Sequence, residues 1–149
     1  MEQGVVRLGG LGGAALPYLI SELFLGGDCL RYFRNRESGV PVLSSRGRPL
    51  DNLLVVCADT RKAEELISDL EFLLKGRGRL RRFFPWEVLP FDGLSPPQES
   101  SAERISTLKA LLSGNAGLVV APMSALQQSL PPPALLKQTL FSLKIGQEI

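Results

Sequence analysis

A glycine-rich turn stands near the start of this sequence. Gly9, Gly10, Gly12 and Gly13 follow the short apolar run of residues 5–8 and precede an apolar stretch at helical spacing. A strand, a glycine turn and a helix N-terminus are the parts with which α/β proteins hold phosphates. Glycine lets the backbone approach the anion, and the first helical N–H groups are free to bind it. Two templates compete for the turn. Gly10-x-Gly12-x-x-Ala15 fits the dinucleotide pattern, but the acid required about 20 residues later is missing there. Asp59 has the right topological place and lies much farther along. The P-loop template asks for a lysine and a hydroxyl at the helix start. Here the chain reads Gly13, Ala14, Ala15, Leu16, Pro17. No lysine reaches for a β/γ-phosphate, and no hydroxyl follows to hold magnesium. The turn is a structural tight turn, a vestigial phosphate loop or a working one.

Two further stretches carry chemical groups in quantity. Lys75, Arg77, Arg79, Arg81 and Arg82 put five cations into eight residues. They suit contact with phosphate or an acidic partner. They equally suit a solvated helix exit, where cations favour the helix C-terminus. Residues 83–108 read FFPWEVLPFDGLSPPQESSAERISTL. Composition alone gives a stiff loop anchored by aromatics, with Trp86 expected to be buried. Glu87 and Asp92 form a candidate pair of carboxylates for acid–base work, but no histidine, metal cluster or intact phosphate loop stands beside them.

The whole chain narrows the choices. It has 149 residues, no histidine, two cysteines, 44% apolar residues and a net charge of +2. Its mean hydropathy is +0.11. Without histidine there is no Ser-His-Asp triad, no Cys-His pair and no H-E-x-x-H zinc site. Two cysteines make neither a zinc ribbon nor a disulfide framework. Cys57 reads as a core thiol and Cys29 lies at a glycine-rich loop, which suits a reduced, cytoplasmic chain. No run is long enough to span a membrane, and no signal peptide is evident. The charge is too small to argue for nucleic acid by itself.

The elements that must position these groups alternate along the chain. Residues 5–8 suit a first buried strand. Pro17 sits in the first turn of the helix that follows, with Leu16, Leu19, Ile20, Leu23 and Phe24 along one face, and Gly26 and Gly27 stop it. Residues 28–51 mix Arg, Gly, Pro and Ser, as a mobile loop or a family-specific insertion does, with a short strand at 40–43. Residues 53–58 and 117–121 are unbroken apolar runs, expected as central strands of a parallel sheet. Asp59 or Thr60 caps a helix whose buried stripe is Ala63, Leu66, Ile67, Leu70, Leu73 and Leu74, closed by Gly76. Residues 80–84 form the next strand. Ser100 and Glu103 make an S-x-x-E capping box for a helix lined by Ile105, Leu108, Leu111 and Leu112. Residues 123–130 and 133–137 suit short helices, and 140–145 a last strand. The alternation predicts an α/β fold with a mainly parallel sheet. A chain that ends directly after an apolar strand looks like a piece of a longer one.

The motifs of residues 83–108 also carry a resemblance. Trp86, Glu87, Leu89, Pro90, Phe91, Asp92, Ser95 and Pro96, then Arg104, Ile105, Thr107 and Leu108, match the W-E-x-L-P-Y-D-x-x-S-P run and R-L-x-T-L helix typical of bacterial transcription-repair coupling factors. Residues 117–132 resemble that family's next strand and helix, and the K-I-G-Q-E-I of residues 144–149 its K-x-G-Q sequence. The likeness covers roughly residues 50–149, and the glycine turn more loosely; residues 28–51 depart from it.

This resemblance implies a RecA-like domain similar to the first domain of the excision-repair protein UvrB. In UvrB the glycine turn is a working P-loop; here Leu16 and Pro17 would stand for its lysine and threonine. The aromatic hairpin with which UvrB clamps DNA has no room before the helix, since only residues 98–101 intervene. The family acts as an ATP-driven DNA translocase that displaces stalled RNA polymerase and recruits UvrA. Its ATP- and magnesium-using motor domains, its contacts with polymerase and DNA, and most of its UvrA-binding domain would lie beyond residue 149. The expectation is a single UvrB-like N-terminal domain over residues 1–149. It would scaffold UvrA recruitment and pack against other domains of the same chain, with no catalytic residue, metal or cofactor of its own. Arg77, Arg79, Arg81 and Arg82 would make weak DNA contacts at most. The alternatives are a small Rossmann-type enzyme using Gly10, Gly12 and Ala15, a UvrB-type helicase fragment, against which the missing lysine argues, and, more weakly, a DNA-binding module.

Overall fold

The computed structural model describes residues 11–27, 50–86, 88 and 97–139. Its centre is strand β3 (Gly117–Pro122), in which every residue is buried. β3 pairs in parallel with β1 (Asn52–Cys57) on one side and β2 (Leu80–Arg82) on the other, giving the order β1-β3-β2. A strand covered on both faces needs an unbroken apolar run, and G-L-V-V-A-P supplies it. Side chains alternate across such a strand, so Leu118 and Val120 enter one core and Val119 and Ala121 the other.

The first core lies under two helices. α1 (Ala15–Leu25) brings Ile20 and Phe24, and α2 (Thr60–Leu74) brings Ala63, Leu66, Ile67, Leu70 and Leu74. α2 starts where an acid can cap it: the Asp59 carboxylate accepts the Lys62 N–H at 2.8 Å. It ends on Lys75 in the left-handed conformation (φ 47°), one residue before the expected Gly76. α1 carries Pro17 in its first turn and stops at left-handed Gly26 (φ 75°). The second core lies under α3 (Gln98–Leu112) and α4 (Met123–Leu126), with Phe83, Ala110, Ala116, Val119, Ala121 and Ala125. α5 (Pro133–Thr139) follows, with Leu136 buried.

The α/β class, the parallel sheet, α2 with its stripe and the central place of 117–121 are as expected. Three expectations need correcting. Among the described residues β1 pairs with β3 alone, so it stands at an edge of the described sheet rather than in its middle. Its burial alternates, and Leu54 and Val56 are 52% and 45% exposed, because α2 covers only the face that holds Leu53, Val55 and Cys57. α3 begins at Gln98, before Ser100, and no side chain caps it. The Pro97 carbonyl accepts the Ser101 N–H at 3.1 Å. Proline's fixed φ presets the helix start, which leaves Ser100 and Glu103 inside the helix. α3 also turns a different face inward: Arg104, Thr107 and Ala110 are buried, whereas Ile105 and Leu111 are 43% and 45% exposed.

The strands expected at 5–8, 40–43 and 140–145 lie outside the described residues, as does the connection over 28–49. No helix among the described residues is long and apolar enough to cross a membrane.

Gly117 opens β3 at φ +74°, and a Cβ there would stand 2.4 Å from the Arg79 carbonyl oxygen. Both the left-handed backbone and the close approach to β2 require glycine. Gly117→Ala is expected to lower stability by about 1–3 kcal/mol in urea melts. A loss below about 0.5 kcal/mol would show that β2 and β3 are not held this close.

Candidate functional site

The glycine turn comes first because phosphate chemistry would need it. Gly13 is left-handed (φ 55°), and the Ala15 N–H donates to the Gly12 carbonyl at 3.2 Å, closing a tight turn at the start of α1. A Cβ at Gly12 or Gly13 would meet nothing, so only the φ of Gly13 calls for glycine within the chain. Gly10 lies outside the described residues. The turn borders a cavity of about 450 Å³ at the C-terminal end of β1. Leu11, Leu16, Pro17, Val56 and Cys57 give it apolar walls, and Lys62 faces Glu65 and Asp69 at its rim. Glu65 also pairs with Arg61 at 3.6 Å, so the charges here are balanced and offer a polyphosphate no concentrated positive field. Asp59, the acid a ribose would need, spends its carboxylate on capping α2. Cys57 is half-buried, and burial, helped by the nearby Asp59 charge, holds its thiol above the usual pKa. Thiolate chemistry at this wall is thereby disfavoured. Among the described residues no cluster of metal-ligating side chains occurs.

The basic run is split by the fold. Arg81 donates from Nε to the Ala116 carbonyl at 3.1 Å and from Nη1 to the Ser106 hydroxyl at 3.3 Å. Arg82 pairs with Glu71 at 3.1 Å. These two arginines fasten β2 to the last turn of α2 and the middle of α3, beside a polar cavity of about 380 Å³ that also includes Glu103 and Ser106. Arg77 and Arg79 stay exposed on the turn before β2.

The family-motif residues form the third group. Arg104 and Thr107, three apart, share one face of α3. The Thr107 hydroxyl donates to the Arg82 carbonyl at 3.1 Å, and Arg104 donates to the Phe84 carbonyl. Carbonyls two residues apart on an extended chain point the same way. α3 therefore takes up, with side chains, backbone acceptors on the outer side of β2 and its exit, and blunts that edge. Arg104 reaches further: it donates to the Ala125 carbonyl at 3.3 Å and stacks 4.2 Å from the Phe83 ring and 5.9 Å from the Trp86 ring. Burial lowers its pKa from the usual guanidinium range.

Trp86 corrects the sequence reading, since its side is open and the residue is 46% exposed. What anchors it is its backbone. The Trp86 N–H donates to Gln128 Oε1 at 2.9 Å, and Gln128 Nε2 donates back to the Trp86 carbonyl at 3.2 Å. Gln128 was not singled out in the sequence. Nor was Asn52, whose side chain donates to the Gly114 carbonyl and accepts the Ala116 N–H, tying β1 to the start of β3. A polar residue opening an apolar strand was the available signal. Glu87, Leu89, Pro90, Asp92, Ser95 and Pro96 lie outside the described residues.

No family model matches the chain, and no solved structure gives a significant match. Curated proteins do. The chain is an α/β domain whose parallel sheet and flanking helices are consistent with a RecA/UvrB-like arrangement. Over much of its length it is similar in sequence to transcription-repair-coupling factors. It is 36% identical to that of Haemophilus influenzae over 96 residues, 64% of this chain. It is 34% identical to that of Escherichia coli over 64 residues, 43% of the chain, and 26% identical to that of Bacillus subtilis over 98 residues, 65% of the chain. The chain spans only 6–8% of the length of these relatives.

Two predictions follow the geometry. Thr107→Val keeps the shape and leaves the Arg82 carbonyl without its hydroxyl, so stability should fall by about 1–2 kcal/mol; a neutral result in urea melts would remove the hydroxyl from the account of the β2 edge. For DNA, the three exposed cations of the run, Lys75, Arg77 and Arg79, allow a slope of log K against log salt no steeper than about −3. Fluorescence anisotropy with a labelled duplex measures it, and a slope near about −5 would mean that Arg81 and Arg82 leave their partners to reach phosphates.

Proposed function

We propose that this chain is the UvrB-like N-terminal part of a transcription-repair coupling factor and takes part in transcription-coupled nucleotide excision repair as a scaffold. In this reading it supports UvrA recruitment, mainly through the domain that follows, and packs against other domains of the same protein. ATP hydrolysis, polymerase displacement and DNA translocation belong to parts beyond residue 149. The observation that carries the proposal is the sequence similarity to proteins of that name, 36% identity over 96 residues in one case. The setting of Arg104 and Thr107 supports it, because the motif positions make the hydrogen bonds that fasten α3 to the β2 exit.

The glycine turn is proposed to hold no nucleotide. A working P-loop needs backbone N–H groups around the phosphates, a lysine at the β/γ charge and a hydroxyl on magnesium. Leu16 presents an apolar side chain, 43% exposed, at the cavity mouth, and Pro17 is buried and lacks an N–H. Each missing charge-assisted contact costs on the order of 1.5–3 kcal/mol. Two such losses weaken binding by roughly two to four orders of magnitude. The charges around the cavity, Lys62 and Arg61 against Glu65 and Asp69, balance and add no field to draw a polyphosphate in.

Calorimetric titration with ATP and magnesium, with a phosphate-release assay beside it, is expected to give neither heat of binding nor turnover. Micromolar binding, or turnover abolished by altering Gly12 or Gly13, would overturn the inert-turn reading. The scaffold role is tested by co-purification with UvrA, comparing this chain with the same chain extended by the following domain. Capture is expected to need the extension, and equal failure of both would remove the role.

A further inference from the structure

Beside Trp86 a cavity of about 330 Å³ opens, lined by Trp86, Val88, Arg104, Gln128 and Ser129. None of these five residues carries a negative charge. Arg104 is 3% exposed, and its partners are neutral: two carbonyls and two aromatic rings. Among the described residues no carboxylate stands within ion-pair distance of it. A buried cation whose hydrogen bonds go only to dipoles keeps its net charge. Away from bulk water that charge acts strongly on any anion that enters.

The indole wall of the cavity is unusual in how it is held. The Gln128 amide holds both the N–H and the carbonyl of Trp86, while the residue remains 46% exposed. An indole carried on a fixed backbone and open to solvent offers an apolar surface whose position, though not its rotamer, is set in advance. Trp and Arg at the edge of a concavity are the residue types that dominate interface energetics.

We propose that this cleft is a docking site for an acidic, apolar segment of a partner protein, with a carboxylate directed at Arg104 and an apolar side chain laid against Trp86. The inference rests on the charge and shape of the cleft and holds whichever partner the scaffold reading names.

Trp86 is the sole tryptophan of the chain, so its emission reports the cleft directly. The intact chain is titrated with the capped peptide acetyl-Glu-Leu-Glu-Leu-amide and with its Gln-Leu-Gln-Leu counterpart. A saturable emission change is expected with the acidic peptide alone, diminished by salt. Ser129→Glu sets a competing carboxylate in the cleft at an exposed position, so the fold is kept while affinity should fall roughly tenfold. Equal response to both peptides, no saturable response, or unchanged affinity in Ser129→Glu would each overturn the proposal. So would binding that emerges only in Glu87→Gln or Asp92→Asn, because the chain's own carboxylate would then occupy the place assigned to a partner.

Discussion

The guanidinium of Arg104 is the junction on which the second layer of this fold depends. Burying a charge costs several kcal/mol unless hydrogen bonds and polarisable neighbours replace the lost water. Here they do: the Phe84 and Ala125 carbonyls accept from it, and the Phe83 ring lies against its plane. Those partners belong to the exit of β2 and to α4, which follows β3 directly. One side chain thus fixes where α3 crosses the sheet and where the chain leaves β2. Truncating it would strand two carbonyls and open a gap against the Phe83 ring, a larger injury than loss of a surface ion pair such as Arg61 with Glu65.

The same junction explains why so much of α3 was hard to read. A hydrophobic pattern assigns the apolar residues of a helix to the core. On that rule Ile105, Leu108, Leu111 and Leu112 go inward. The sheet edge instead demanded donors for the Arg82 and Phe84 carbonyls, so the helix turned Arg104 and Thr107 toward it and left Ile105 and Leu111 largely in water. Hydrogen-bond satisfaction overrode periodicity, as buried backbone groups require. α2 had no such demand. Its cap, its stripe and its partner strand β3 were legible because local propensity, pattern and packing agree there.

The site was legible unevenly for a related reason. Residue types told what the glycine turn lacks, and the cavity beside it has the apolar walls that Leu16 and Pro17 imply. Trp86 was misjudged because an aromatic among Phe and Pro residues ordinarily buries its ring. Here the residue is held instead by its backbone, through Gln128, which lies 42 residues away. No local pattern encodes a contact at that separation.

Fold and phosphate chemistry are separable in this architecture, and the turn shows how. The first core is built mainly from Phe24, Ile67, Leu70, Leu118 and Val120, none of which lines the cavity beside the turn. Of the turn itself the fold uses only the left-handed φ of Gly13 and the buried ring of Pro17. A lysine at position 16 would find room, since that side chain is 43% exposed at a cavity mouth. A threonine at position 17 would not be neutral, because it would exchange a buried pyrrolidine for a hydroxyl needing a partner at the start of α1. Even with both in place, Asp69 would still line the cavity beside Lys62. The missing lysine and the buried proline, more than the glycines, set this turn apart from a nucleotide site, and the packing of α1 holds that proline in place.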